Sequence, residues 1–297
     1  MSSVAALLNP PKAAASAIEL YARPSSDYAA RLHETVVTLL KAAATGPVTQ
    51  ASSLGAEDMV ITHLINRHQL PIEVFVLDTG RLHAETLALL AQLKTQQAAH
   101  PRAPLTVYQP ESQAAAEFVA REGEDAMYQS IELRKACCGI RKLEPLGRAL
   151  AGKVAWVTGL RREQSGARAE VPLVDRSEWP STGRLKYNPL ADWSWGDVWH
   201  YIATEQVPYN PLHDQFYPSI GCAPCTRAIT LGEDFRAGRW WWEDEAAKEC
   251  GLHVKDSNPL PLWGRAGGGA TPVTIDPASP HPNPPPAGEG ASQKAHA

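Results

Sequence analysis

Apolar positions recur at two different periods along the first two thirds of the chain. Over residues 26–44, Leu32, Val36, Leu39, Leu40 and Ala43 stand three or four apart, the spacing of one helix face, with Ser26 placed as an N-cap. Residues 48–51 read as a short strand, 52–58 as a loop, and 59–68 as a helix carrying Val60, Leu64 and Ile65 on one side. The run Ile72-Glu73-Val74-Phe75-Val76-Leu77 is apolar, β-branched and of strand length. It ends in Asp78-Thr79-Gly80 and precedes a helical stretch over 82–93. Further strands are expected over 105–108 and 154–157, a helix over 111–121, and the end of a helix over 143–150. Strands alternating with helices predict an α/β fold built on a mainly parallel sheet with helices on both faces.

The ends of the chain differ from this middle. Residues 1–24 are rich in Ala and Pro and are expected to be loosely ordered, with 14–22 able to wrap a short helix on the body. Beyond 176 the pattern breaks into short, polar, Trp-rich pieces. Asp192-Trp193-Ser194-Trp195-Gly196-Asp197 reads as a capped helix start, and Trp195 and Trp199 as anchors that close the core. From Pro259 on, nine of the 25 prolines crowd into 39 residues, so 258–297 is expected to be a disordered tail. One domain over 25–257, with a mobile segment at its end, is the organisation these breaks imply.

Composition narrows the function. The 297 residues are 44% apolar and 20% charged, with 28 Lys+Arg against 32 Asp+Glu and a net charge of −4. Charges of both signs are interspersed, which argues against nucleic acid as a partner. No apolar run is long enough for a membrane span, and residues 1–10 lack a signal-peptide pattern, so no membrane partner is expected and the expected address is cytoplasmic. A homo-oligomer is compatible with all of this.

The five cysteines carry the chemistry. Cys137 and Cys138 are adjacent, Cys222 and Cys225 frame Ala-Pro, and Cys250 stands alone. Adjacent thiolates chelate one tetrahedral ion poorly, whereas an iron–sulfur cube offers a separate iron corner to each ligand. Zinc, or buried thiols with no shared role, are the alternatives. Lys142, four residues after Cys138, shares its face if the segment is helical, where its ammonium could serve both an anionic cluster and an anionic substrate. The loop Ser52-Ser53-Leu54-Gly55-Ala56-Glu57-Asp58 stands where backbone N–H groups at a helix start receive a phosphate, although its two acids are awkward there unless they turn away. Arg161, Arg162 and Arg168, with Gln164 and Ser165 in one mobile loop, fit a clamp on an oxyanion or a solvated basic loop. Cys250 lies in a polar segment near Arg236, Arg239, Trp240, His253 and Lys255, surroundings in which a thiol can become a reactive thiolate.

These residues resemble the assimilatory sulfonucleotide reductases, and within them the iron–sulfur adenylyl-sulfate reductases. The resemblance covers about residues 25–255. It is carried by Lys135-Ala136-Cys137-Cys138-Gly139-Ile140-Arg141-Lys142, Gly221-Cys222-Ala223-Pro224-Cys225, Leu77-Asp78-Thr79-Gly80, Gly159-Leu160-Arg161-Arg162-Glu163-Gln164-Ser165 and Glu249-Cys250-Gly251-Leu252-His253. It implies a Rossmann-like fold of the adenine-nucleotide hydrolase kind and a thioredoxin-dependent (or glutaredoxin-like) reduction of adenosine 5'-phosphosulfate to sulfite and AMP. By the same resemblance Cys250 is the nucleophile that forms an S-sulfocysteine intermediate, and Cys137, Cys138, Cys222 and Cys225 ligate one [4Fe-4S] cluster that is not the electron donor. Ser52, Ser53, Gly55 and Leu77 would seat nucleoside and phosphate. Lys142, Arg168, Arg236, Arg239 and His253 would hold the phosphosulfate, with Trp240 among the substrate contacts.

Three rival readings remain. Reduction of the 3'-phosphorylated nucleotide, alone or as a dual specificity, belongs to the same class, but its relatives generally lack the cysteine quartet. An ATP-dependent RNA thiolation protein also joins an adenine-nucleotide fold to an iron–sulfur cluster, yet the loop at 52–55 lacks the Ser-Gly-Gly-x-Asp-Ser pattern and no basic domain is present. A noncatalytic redox sensor would leave Cys250 dispensable.

Overall fold

A computed structural model of the chain describes residues 15–230 and 232–243. It opens on a short helix α1 (Ala17–Tyr21), closed by a capping box between Ser16 and Glu19. The Asp214 carboxylate accepts the Ala17 N–H at 2.7 Å, so this helix is tied to the body. Helix α2 (Tyr28–Thr45) starts after Asp27, one residue later than the Ser26 cap implies, and leaves Leu40 half exposed while Leu39 and Ala42 are buried. Strand β1 (Val48–Ser52) leads into α3 (Ala56–Arg67), which begins three residues earlier than its apolar period because the acids Glu57 and Asp58 fold inward.

Next come β2 (Ile72–Leu77), α4 (Ala84–Gln97), β3 (Leu105–Tyr108) and α5 (Ser112–Glu122), all where the pattern expects them to within three or four residues. Helix α6 (Ile131–Cys138) is capped by the Ser130 hydroxyl and runs through a π-helical turn (Gly139–Leu143) into α7 (Glu144–Ala149). Strand β4 (Ala155–Val157) follows. The remainder holds β5 (Val174–Asp175), α8 (Trp179–Thr182), β6 (Leu185–Tyr187) and α9 (Trp195–Glu205), the last with a complete capping box between Ser194 and Asp197.

Among the described residues the strands form one sheet in the order β3-β2-β1-β4-β6-β5. All pairings are parallel except the edge strand β5, which runs antiparallel to β6. Alternation along β2 divides the core as the pleat requires. Ile72 and Val76 join Val48, Ala155, Val157 and the buried faces of α2, α3, α4 and α9, whereas Phe75 and Leu77 face Trp156, Leu146, Ala149 and Leu150 on the other side. Both faces of the sheet are therefore covered. Trp199 is fully buried; Trp195, only partly buried, stands edge-on to it at 5.4 Å. No described helix is long and apolar enough to cross a membrane.

Candidate active site

The chain order reverses direction between β1 and β4: β2 and β3 extend the sheet one way, β6 and β5 the other. Beyond the carboxyl ends of strands at such a switch point an α/β sheet leaves a crevice. Here it is a cleft open to solvent, reached by Ser52 at the end of β1, Leu77 at the end of β2 and Thr158 just past β4. Ser53, Gly55, Lys142, Arg168, Arg236 and Arg239 also line it, so the sequence-derived substrate residues that lie among the described ones converge on a single cavity, with one exception. That exception is Trp240. It is fully buried outside the lining, where its ring lies under the Arg134 and Arg239 guanidinium groups at 4.5 and 4.7 Å. Cys250 and His253 lie outside the described residues.

The loop between β1 and α3 is strained and tied from within. Leu54 takes φ +62°, a left-handed conformation uncommon for a non-glycine residue, and is completely buried. Helix α3 begins at Gly55 without a side-chain cap, and the Ala56 N–H donates to His213 Nε2 at 3.2 Å. The two awkward acids are resolved by nonlocal partners. Glu57 accepts Arg161 Nε at 2.9 Å and Gln164 Nε2 at 3.0 Å. Asp58 accepts the Ser53 N–H and hydroxyl, both at 2.7 Å, and a backbone hydrogen bond from Gly159. Only glycine fits at 159, since a Cβ there would stand 2.5 Å from Asp58 Oδ1. Burial pushes the Asp58 carboxyl up to about 6, partly offset by the Ser53 hydrogen bonds. Burial likewise draws the His213 imidazole down to about 4.

The arginine loop differs from the clamp expected of it. Arg161 is fully buried and paired with Glu57, and Arg162 pairs with Asp192 and the Val171 carbonyl. Of the three, Arg168 alone lines the cleft, its Nη1 donating to Gln164 Oε1 at 2.6 Å. Gln164 links these groups: its amide nitrogen donates to Glu57 and the Gly159 carbonyl, and its oxygen accepts from Arg168 and the Arg161 N–H. Sequence reading missed this role, because Glu57 and Gln164 are 107 positions apart.

One of the cysteines reaches the same cleft, and Cys137 and Cys225 stand close enough to it to feel its charge. Cys222 lines it, with Thr79 Oγ1 3.2 Å from its sulfur. The 222–225 loop is held to the turn after β2 by a bridge between Leu82 and Cys222 and by the Ala223 N–H donating to the Arg81 carbonyl at 2.7 Å. Cys138 is buried at the end of α6 and Cys137 is half-buried. Burial pushes the Cys137 thiol up, and Arg141 and Lys142 oppose it; burial pushes Cys225 up to about 11, raised further by Cys222 and opposed by Lys142 and Arg239. Between Cys138 and Lys142 the helix widens into the π turn, whose Glu144 N–H bonds back five residues to the Gly139 carbonyl. Lys142 lines the cleft while its charge acts on Cys137 and Cys225. Arg239 is packed against the same loop: its Nη1 donates to the Ile220 carbonyl, and a Cβ at Gly221 would stand 2.4 Å from its Nη2. Among the described residues no three His, Cys, Asp or Glu side chains are arranged to hold a single metal ion.

Comparison with known proteins agrees with this geometry. The family model of the phosphoadenosine phosphosulfate reductase domain matches residues 47–228. The adenosine 5'-phosphosulfate reductase of Allochromatium vinosum is 57% identical over 210 residues, 70% of this chain and 79% of its own length. That of Burkholderia cepacia is 52% identical over 217 residues, 73% of this chain and 84% of its own. Among solved structures, the phosphoadenylyl-sulfate reductase of Candida auris in its phosphate complex superposes with a TM-score of 0.53 at 30% identity, covering 64% of this chain and 88% of that one. The cleft at the switch point, the cations that line it and a match across more than half the chain lead to one conclusion: the chain belongs to the phosphoadenosine phosphosulfate reductase family.

Proposed function

We propose that the chain reduces adenosine 5'-phosphosulfate to sulfite and AMP, in sulfate assimilation in the cytoplasm, with a dithiol protein of the thioredoxin type as reductant. The observation that carries this reading is the convergence of Lys142, Arg168, Arg236 and Arg239 on one cleft that also reaches Cys222. Relatives named adenosine 5'-phosphosulfate reductase at 46–57% identity support it. Ser52 and Leu77 stand where a nucleoside enters between the strand ends, and the uncapped start of α3 beside Ser53 and Gly55 suits its phosphate.

In the first step the Cys250 thiolate forms a bond to the sulfate sulfur while the bond from that sulfur to the bridging phosphate oxygen breaks, and its electron pair leaves with AMP. Thiolate and sulfate repel one another, so cations must screen the approach. Lys142, Arg236, Arg239 and His253 serve that purpose, and Arg168 holds the phosphosulfate with Gln164 behind it. A thiolate of the donor then attacks Cys250 Sγ, and sulfite departs with the bonding pair. The donor's second thiol resolves the mixed disulfide and restores the Cys250 thiol. The dithiol is oxidised by two electrons and the sulfur reduced by two.

Cys137, Cys138, Cys222 and Cys225 are the residues that would hold a [4Fe-4S] cluster. The donor set fits such a group: the thiols come as two pairs, burial keeps Cys137 and Cys225 protonated and unreactive when uncoordinated, and Arg141, Lys142 and Arg239 stand ready to offset the charge of four thiolates. When bound, the cluster supplies a fixed negative charge behind those cations and no electrons.

The Candida auris neighbour, named for the 3'-phosphorylated nucleotide, supports a second reading in which that substrate is used as well. Steady-state kinetics on both nucleotides with anaerobically purified, metal-analysed protein test the proposal. A brown protein with four irons per chain that strongly prefers the unphosphorylated nucleotide is expected. Zinc in place of iron would refute the cluster, and preference for the 3'-phosphorylated nucleotide would refute the substrate.

A further inference from the structure

One amide in the wall of the cleft has every hydrogen-bonding position filled. Gln164 ends the short turn Arg162–Gln164 that follows β4, is buried, and lines the cleft together with Glu57, Gly159 and Arg168. Its Nε2 donates to Glu57 Oε1 at 3.0 Å and to the Gly159 carbonyl at 3.2 Å. Its Oε1 accepts Arg168 Nη1 at 2.6 Å and the Arg161 N–H at 3.1 Å. A side-chain amide has two N–H donors and two acceptor lone pairs, so nothing is left over. Two acceptors face the nitrogen and two donors face the oxygen, and only one orientation of the amide satisfies all four.

The partners come from both sides of the switch point. Glu57 stands in the first turn of α3, which follows β1, and is itself held by Arg161 Nε at 2.9 Å. Gly159 lies just past β4, and Arg168 ends the next turn, Gly166–Arg168. The amide thus places the Arg168 guanidinium relative to the start of α3 and to the end of β4 at once. The oxygen that does so is neutral, so it orients the guanidinium without cancelling its charge, as a carboxylate in its place would.

We propose that Gln164 is a positioning residue for the sulfo-transfer step: through Glu57 and Gly159 it sets Arg168 against the phosphate seat at the start of α3, so that the two ends of the phosphosulfate meet groups held at a fixed separation. The inference rests on the reading of Arg168 as a grip on the phosphosulfate. It adds that the grip acts only while the amide behind it is in place.

A double-mutant cycle in the intact chain tests this. Gln164→Ala, Arg168→Ala and the double variant are compared with wild type by kcat/KM for adenosine 5'-phosphosulfate with a thioredoxin-type reductant, and urea unfolding confirms that each is folded. Gln164→Ala is expected to lower kcat/KM by about 10- to 100-fold, the effect of a misplaced group at a reacting centre. In the Arg168→Ala background the same change is expected to cost less than about 2-fold, because the group that Gln164 places is gone. Gln164→Met, which fills a similar volume without the hydrogen bonds, is expected to repeat both results. Equal losses in the two backgrounds would overturn the inference, since a general role in the fold acts whether or not Arg168 is present. So would wild-type kcat/KM in both Gln164 variants, or the failure of both to fold, which would make the amide a bolt of the core. Wild-type kcat/KM in Arg168→Ala would instead overturn the reading of Arg168 as the grip, and absence of turnover in the wild type would overturn the proposed reaction.

Discussion

At Lys142 the charge of one side chain is shared between the cleft and two thiols. Lys142→Ala is therefore expected to lower kcat/KM for adenosine 5'-phosphosulfate by about 2–4 kcal/mol of transition-state stabilisation, with folding intact. Lys142→Arg should recover part of it, since a planar fork replaces a compact ammonium imperfectly. Near wild-type kcat/KM in the alanine variant would make the lysine incidental. The place of this residue close to the cysteines was legible in the sequence; the π turn between Cys138 and Lys142 was not, because it has no sequence period of its own. Asp58 and His213 make a second residue-scale case. The Asp58 carboxyl is raised to about 6, so the folded state holds its proton longer than the unfolded chain does, and its contribution to stability falls as pH rises from about 4 to 6. His213 is lowered to about 4, so its contribution rises with pH between about 4 and 6.5. The two therefore act in opposite directions across this window. Asp58→Asn removes one side of the balance. Urea unfolding of that variant should show stability climbing with pH across this window, and a flat profile would contradict the opposed titrations.

Elements with a strong period were found in the sequence, and those without one were not. Strands β1 to β4 and helices α2 to α5 follow from runs of apolar residues at period two or near 3.6, while β5 and β6, two and three residues long, leave no period to read. Lys186 on β6 is buried over the Trp156 ring and paired with Asp175, a stabilisation supplied by neighbours distant in sequence. The arginine loop was misjudged for the same reason, because the partner that buries Arg161 is Glu57, 104 positions away. Helix α9 shows the opposite case, a start announced by its Ser194–Asp197 capping box. In the fold Asp197 does more than cap: fully buried, it also accepts the Ser25 N–H and hydroxyl and pairs with Arg31 of α2. Asp197→Ala should destabilise the protein by about 3 kcal/mol, the range for removing one partner of a buried pair, while leaving AMP affinity in the remaining folded protein unchanged. A loss below roughly 1 kcal/mol in denaturant titration would show that Ser25 and Arg31 find other partners.

On the scale of the molecule, parallel strands that diverge from β1 and β4 create the cleft, and every described part of the site is placed by that divergence. The fold class was legible because alternation of strand and helix admits few other architectures. That Cys137 stands close enough to Cys222 and Cys225 for their charges to interact agrees with the two-pair spacing, which already pointed to one shared group. Within the start expected to be loosely ordered, the short helix foreseen over 14–22 is present as α1 and is tied to Asp214, whereas the expected tail over 258–297 lies outside the described residues. Its composition, poor in apolar surface and rich in Pro and Gly, predicts that turnover does not need it. Deletion of residues 265–297 should leave kcat and KM unchanged, and a large loss would mean that this segment takes part in the site. The central claim is that Cys250 attacks the sulfur while the quartet does not. Intact-protein and peptide mass spectrometry after mixing with adenosine 5'-phosphosulfate alone measures this directly. One SO3 group on Cys250 with one AMP released per chain, both lost in Cys250→Ser with its iron retained, is the expected result; AMP release that persists in Cys250→Ser, or an adduct on any other cysteine, would contradict it.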